Sequence, residues 1–81
     1  MRKLTVGFIK KQGFKIAETI KEEQFYYEDY DNPNIECCLT IFFNYFNNGA
    51  ITYEVYLEDY ELVNVGKKEL KMLLRICQKK R

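Results

Sequence analysis

The chain has 81 residues, a formal net charge of +1, seven tyrosines and six phenylalanines, and 47% of it is hydrophobic, which excludes intrinsic disorder. A chain of this length makes one domain, residues 1–81, with one modest core that buries only ~60% of its unfolded surface. No apolar run approaches the ~20 residues of a membrane span. The N-terminus carries Arg2, Lys3, Lys10 and Lys11 without a continuous apolar stretch, so neither a signal peptide nor a membrane partner is expected and the cytoplasm is the expected compartment.

Residues 3–12 read as a short helix with Leu4, Phe8 and Ile9 on one face and Gly13 placed to end it; Thr5 and Val6 are weak helix formers, so a strand is the rival reading. Residues 14–20 alternate Phe14, Ile16 and Ile20 against Lys15 and Thr19, a strand pattern, and Glu22-Glu23 make the turn into a second strand over 24–30. Asp31-Asn32-Pro33-Asn34 is a turn by composition. Residues 35–46 then form the longest strand, whose odd positions Ile35, Cys37, Leu39, Ile41, Phe43 and Tyr45 make an unbroken core-facing row. The next strand, 50–59, offers Ile51, Tyr53, Val55 and Leu57 as the matching row.

Parity decides the loop between these two strands. A two-residue Asn48-Gly49 turn would set the apolar row of one strand opposite the polar row of the other. A three-residue loop, Asn47-Asn48-Gly49, pairs Tyr45 with Ile51, Phe43 with Tyr53 and Ile41 with Val55, with Gly49 in the left-handed position. Residues 60–65 read as an irregular or short extended link. Residues 67–79 are a helix: Leu70, Leu73, Leu74 and Cys77 fall at i, i+3, i+4, i+7, Lys67, Lys68, Lys71, Arg75 and Lys79 point away, and Gly66 with Glu69 begins it. The expected fold is α+β: a four-stranded antiparallel meander with the C-terminal helix, joined by a short N-terminal helix, packed on one face.

The residue inventory argues against an enzyme. Histidine and serine are absent, so the commonest general base, the commonest metal ligand and the serine triads are all missing. The four glycines stand singly, so there is neither a phosphate-binding loop nor a dinucleotide fingerprint, and no cofactor is expected. Cys37 and Cys38 are adjacent and Cys77 is left over; the spacing fits neither a zinc site nor a redox Cys-x-x-Cys, and small buried thiols are the simplest reading.

What remains is surface. Residues 22–61 hold ten acids and no lysine or arginine, so the balanced total conceals an acidic sheet and basic helices. Intramolecular attraction between sheet and helices accounts for that arrangement most simply. Beyond it, the acidic sheet can compete for a basic site on a protein, and the basic helix can contact phosphates.

If the odd rows face the core, the even rows present Cys38, Phe42, Phe46 and Tyr56 among Glu36, Glu54, Glu58 and neutral polar residues. On the second strand either Tyr26 and Tyr30 or Phe25 and Tyr27 join them; Tyr26 and Tyr30 are favoured. An aromatic patch left in water marks an interface, unless the N-terminal segment covers it. A small echo, Tyr27-Glu28-Asp29-Tyr30-Asp31 and Leu57-Glu58-Asp59-Tyr60-Glu61, adds Glu28, Asp29, Glu58, Asp59 and Tyr60 as a possible acidic, tyrosine-rich edge. Neither copy has the spacing of a calcium loop, so no metal is expected.

The order Gly13-Phe14-Lys15, Tyr26-Tyr27-Glu28-Asp29, Leu39-Thr40-Ile41, Gly49, Tyr53 to Tyr60 and Glu69 to Leu74 resembles the small, uncharacterised α+β proteins common in phage and prophage genomes. The likeness is one of pattern over nearly the whole chain, with Gly66-Lys67 where such proteins often carry Thr-Leu, and it brings no catalytic residue with it. It implies an accessory protein acting in the host cytoplasm by binding and inhibiting a host protein, antiviral-defence components included. The alternatives are a small nucleic-acid-binding or regulatory protein using Lys67, Lys68, Lys71 and Arg75, and a structural homodimer. Nucleic acid is the weaker of the two sharper readings, because the aromatic residues that could stack on bases lie among carboxylates.

Overall fold

A computed structural model of the chain describes residues 1–77. Its elements are α1 (Val6–Lys11), β1 (Lys15–Lys21), β2 (Phe25–Asp31), β3 (Leu39–Phe46), β4 (Ile51–Leu57), β5 (Tyr60–Leu62) and α2 (Lys67–Ile76). The strands form one antiparallel meander in the order β1-β2-β3-β4-β5. No helix among the described residues is long and apolar enough to cross a membrane.

Five strands replace the expected four. The link at 60–65 supplies a three-residue edge strand, with Val55 opposite Leu62 and Leu57 opposite Tyr60. Two residues, Glu58 and Asp59, make the turn, and Glu58 accepts a left-handed φ of 57° to close it. Its carboxylate oxygen accepts from the Cys38 amide at 3.1 Å while its own amide donates to the Cys38 carbonyl at 2.8 Å.

The β3–β4 hairpin has the register that parity requires: Tyr45 opposite Ile51, Phe43 opposite Tyr53, Ile41 opposite Val55. Gly49 adopts a φ of 89°. The long strand is shorter than the apolar row implies, because β3 begins at Leu39 and residues 35–38 leave the ladder. There the Glu36 amide donates to the Cys77 carbonyl at 3.0 Å and Cys38 bonds with Glu58, so the end of α2 and the β4–β5 turn both hold this stretch.

Both helices pack on the face that carries the odd row. Leu4, Ile9, Phe14, Tyr30, Leu39, Ile41, Phe43, Val55, Val65 and Leu70 form one cluster. α1 starts at Thr5, whose hydroxyl caps the Phe8 amide at 3.1 Å, and stops at Gly13, where φ is 101°. The helical reading of this segment holds, over a shorter span than 3–12. Gly66 opens α2: its amide donates to the Glu69 carboxylate at 3.0 Å, and a Cβ there would lie 2.5 Å from the Arg2 carbonyl oxygen. Leu70 is buried, Leu73 and Leu74 are half-buried and Cys77 is buried, as the spacing predicts. α2 ends at Ile76 with Cys77 as its C-cap, short of the expected 67–79, and Lys79 lies outside the described residues.

Two expectations about faces are corrected. Tyr26 stands opposite Tyr45 and Tyr30 opposite Ile41, and cross-strand partners share a face, so both tyrosines belong to the covered side. Tyr30 is only 1% exposed. Phe25 and Tyr27 are the β2 aromatics on the open side. In β1 a bulge between Ile16 and Glu18 breaks the expected alternation: Ile16 faces Tyr30 on the covered side and Ile20 faces Tyr27 on the open one.

Candidate functional site: the open face of the sheet

The N-terminal segment packs with the core, so neither helix covers the even row. Five rings run across this uncovered face in one connected path. Phe46 lies 5.9 Å from Phe25, Phe25 6.0 Å from Tyr27, Tyr27 6.0 Å from Phe42, and Phe42 5.6 Å from Tyr56 between ring centroids. Edge-to-face packing at Tyr27–Phe42 and Phe42–Tyr56 suits the quadrupoles of the rings and holds them in place without a cover. Phe46 remains 41% exposed and the other four are half-buried.

The carboxylates gather at one end of this path. Phe42 sits between Asp29 on β2 and Glu54 on β4, and Thr40 between Asp31 and Tyr56. Glu61 lies opposite Tyr56 on β5. Asp29, Asp31, Glu58 and Asp59, with Phe42 and Tyr56, line a cleft of about 490 Å³ whose floor is formed by residues 37–40. The two copies of the sequence echo are therefore brought together, but across β3 and through only part of each. Glu28 is excluded because it points to the covered side, and Tyr60, 75% exposed, does not line the cleft.

The acids in the cleft are incompletely neutralised. Asp31 accepts from the Thr40 hydroxyl at 3.3 Å, and Lys15 is the cross-strand neighbour of Asp31. Asp29 Oδ1 is buried and has no hydrogen-bond partner among the described residues. Burial, then the charges of Asp31 and Glu18, push the Asp29 carboxyl above its ordinary range. The Tyr56 phenol is likewise raised, first by Glu54, then by burial and Glu61. Burial leads at Asp29 and Glu54 at Tyr56, and the nearby carboxylates contribute to both shifts, a contribution that a cation would oppose.

Glu28, expected at the same acidic edge, has a different role. Its carboxylate accepts from the hydroxyls of Tyr26 at 2.7 Å, Tyr30 at 2.8 Å and Tyr45 at 2.9 Å. Burial alone would raise its pKa, but the three donors, with help from Lys10, outweigh it and hold it low. This is a satisfied polar node in the covered layer. Sequence reasoning missed it, although one signal was present: the Tyr26/Glu28/Tyr30 row carries one acid and two hydroxyls, and the Phe25/Tyr27/Asp29/Asp31 row carries two acids and one hydroxyl.

The basic residues also converge. Arg2, Lys67, Lys68, Lys71 and Arg75 surround Phe8, with the Lys67 ammonium 5.3 Å and the Lys71 ammonium 5.9 Å from the ring centre. A larger depression of about 760 Å³ lies by the β4–β5 edge between Leu4, Tyr53, Leu62 and Val63, and brings no cluster of charged or nucleophilic groups together. Among the described residues no three His, Cys, Asp or Glu side chains are grouped as metal ligands. No family model, curated protein or solved structure matches this chain.

Proposed function

We propose that the chain is a non-enzymatic protein-binding module that docks its partner on the open face of the sheet. The observation that carries this reading is the connected aromatic path from Phe46 to Tyr56 ending in a cleft of four carboxylates. Rigid rings supply contact area at low entropic cost, and the acids select a partner that presents arginine or lysine. The Asp29 carboxylate, which lines the cleft and has one oxygen without a hydrogen bond among the described residues, adds to the negative charge that a guanidinium would answer. Within this class, the resemblance to phage and prophage proteins favours an accessory protein that blocks a host protein, a defence component among the candidates, in the host cytoplasm. Replacing Phe42 and Tyr56 together by lysine should abolish capture of that protein while leaving the circular dichroism spectrum unchanged; undiminished capture would remove the reading.

A second reading draws on the cations around Phe8. Arg2, Lys67, Lys68, Lys71 and Arg75 could hold nucleic-acid phosphates, with retention that falls steeply as salt rises. The absence of any gel shift at low salt would dispose of it. If the open face instead pairs with itself, the mass in solution is twice 9.8 kDa at micromolar concentration.

A further inference from the structure

The three cysteines are not equivalent. Cys38 is exposed, Cys37 is half-buried and Cys77 is buried. The strand ladder ends at Leu39, so residues 35–38 pass over the end of α2, where the Glu36 amide donates to the Cys77 carbonyl at 3.0 Å. That bond sets the backbone beside Cys37 against Cys77, and the neighbouring Cys37 thiol adds to burial in raising the pKa of Cys77. Forty positions apart in sequence, the two residues are neighbours in the fold. The adjacent Cys38 has its amide committed to Glu58 and is turned toward the open-face cleft.

We propose that Cys37 and Cys77 are a redox-sensitive pair that closes to a disulfide, fastening the end of α2 to the segment that floors the open-face cleft. The oxidant is a low-molecular-weight disulfide. The Cys37 thiolate attacks one of its sulfurs, forming a mixed disulfide and expelling the other half as a thiolate. The Cys77 thiolate then attacks the Cys37 sulfur and expels the second half. Two electrons pass from the protein to the small disulfide, and the two protons lost by the protein thiols end on the two departing thiolates. Cys37 is the attacking group because it is only half-buried and lines the cleft. Cys77, 2% exposed, is the resolving group: burial first, then the neighbouring Cys37, raise the pKa of its thiol, which makes it the poorer first nucleophile.

The bond would close a loop of forty residues and so restrict the unfolded chain far more than the folded one. Cys37 and Cys38 both line the cleft, so closure also fixes the position of its floor. The device goes beyond the docking role and does not depend on it.

The test uses the whole folded chain, incubated with oxidised glutathione in mildly alkaline buffer, then alkylated in denaturant and weighed. The expected product is a monomer lighter by two hydrogens before alkylation, with a Cys37–Cys77 cross-link in the digest and Cys38 alkylated. Its melting temperature should rise by about 10 °C and fall back on reduction. Cys38→Ser should oxidise like the wild type, and Cys37→Ser should form no internal bond. Three alkylated thiols, a bond that includes Cys38, a stable mixed disulfide with glutathione, or a melting temperature that does not rise would each overturn the proposal.

Discussion

Glu28 and Asp29 are neighbours in sequence and stand on opposite faces of one strand, and their circumstances are opposite too. Glu28 faces the helices and takes three tyrosine hydroxyls. Asp29 faces solvent across a row of rings and keeps a buried oxygen with nothing bonded to it. The covered face has satisfied its polar groups, as a core must. The open face has buried apolar rings and a carboxylate only halfway, and both remain unfinished. That difference makes one side of the sheet the stabilising core and underlies the proposal that the other side binds a partner.

The comparison can be broken most forcefully at β3, where Phe43 and Phe42 are adjacent. Phe43 is 2% exposed in the core, so Phe43→Ala should cost ~3–5 kcal/mol, much of the roughly 5–15 kcal/mol available to a small domain, and be read as a collapse of the urea midpoint. Phe42→Ala, made on the half-buried open face, should cost about 1 kcal/mol and leave the fold intact while weakening partner capture at least tenfold. Equal losses of stability from the two changes would show that the faces are not distinct.

Next in size is the tyrosine node. Glu28→Gln should destabilise by ~1–3 kcal/mol, because three phenols lose a charged acceptor. Its pH dependence has a defined sign. Glu28 is held below its ordinary 4.5, so its contribution is complete above that value and is lost as pH falls through the depressed one. The alkaline side mirrors this. Burial first, then the bond to Glu28, raise Tyr45 from 10 to about 12, so that stability is full below pH 10 and lost as pH rises through about 12. Thermal melts across pH should show the variant flatter than the wild type at both ends.

The smallest effect has the most unusual direction. The Asp29 carboxyl is raised, so ionising it costs stability, a penalty absent below its ordinary 3.8 and complete once pH passes the raised value. Asp29→Asn should therefore stabilise the free protein at neutral pH. After solvent screening the gain is a fraction of a kcal/mol, on the order of 2 °C in melting temperature. The same change should weaken binding of the cationic partner. A variant that melts lower than the wild type would refute the claim that Asp29 is left unfinished.

Much of this was legible in the sequence, and the places where it was not share a cause. The β3–β4 register followed from the apolar rows and Gly49, and α2 from a four-point stripe with Gly66 before it, because in both cases one face is plainly apolar. β2 offers no such contrast. Phe25-Tyr26-Tyr27-Glu28-Asp29-Tyr30-Asp31 has aromatics and acids on both parities, so the buried row is chosen by register with Tyr45, Phe43 and Ile41 rather than by its own composition. β1 misled through its bulge, which reverses the side of Ile20 without leaving any mark in the pattern. β5 is three residues long, shows no alternation worth reading, and depends on Glu58 accepting a left-handed backbone. At the open face, Phe42, Phe46, Tyr56 and Glu54 lie in the rows that parity gave them, and Glu58 and Asp59 line the cleft. On β2 the favoured row is reversed, so that Phe25, Tyr27 and Asp29 take the place of Tyr26, Glu28 and Tyr30.

Chemical-shift mapping of the labelled chain, titrated with the purified partner, tests the division of the sheet most directly. The account predicts that the resonances of Phe25, Tyr27, Asp29, Phe42 and Tyr56 move together while those of Tyr30, Phe43 and the Lys67–Arg75 face of α2 stay still. Shifts concentrated on α2 and Phe8, with the open face unmoved, would contradict it.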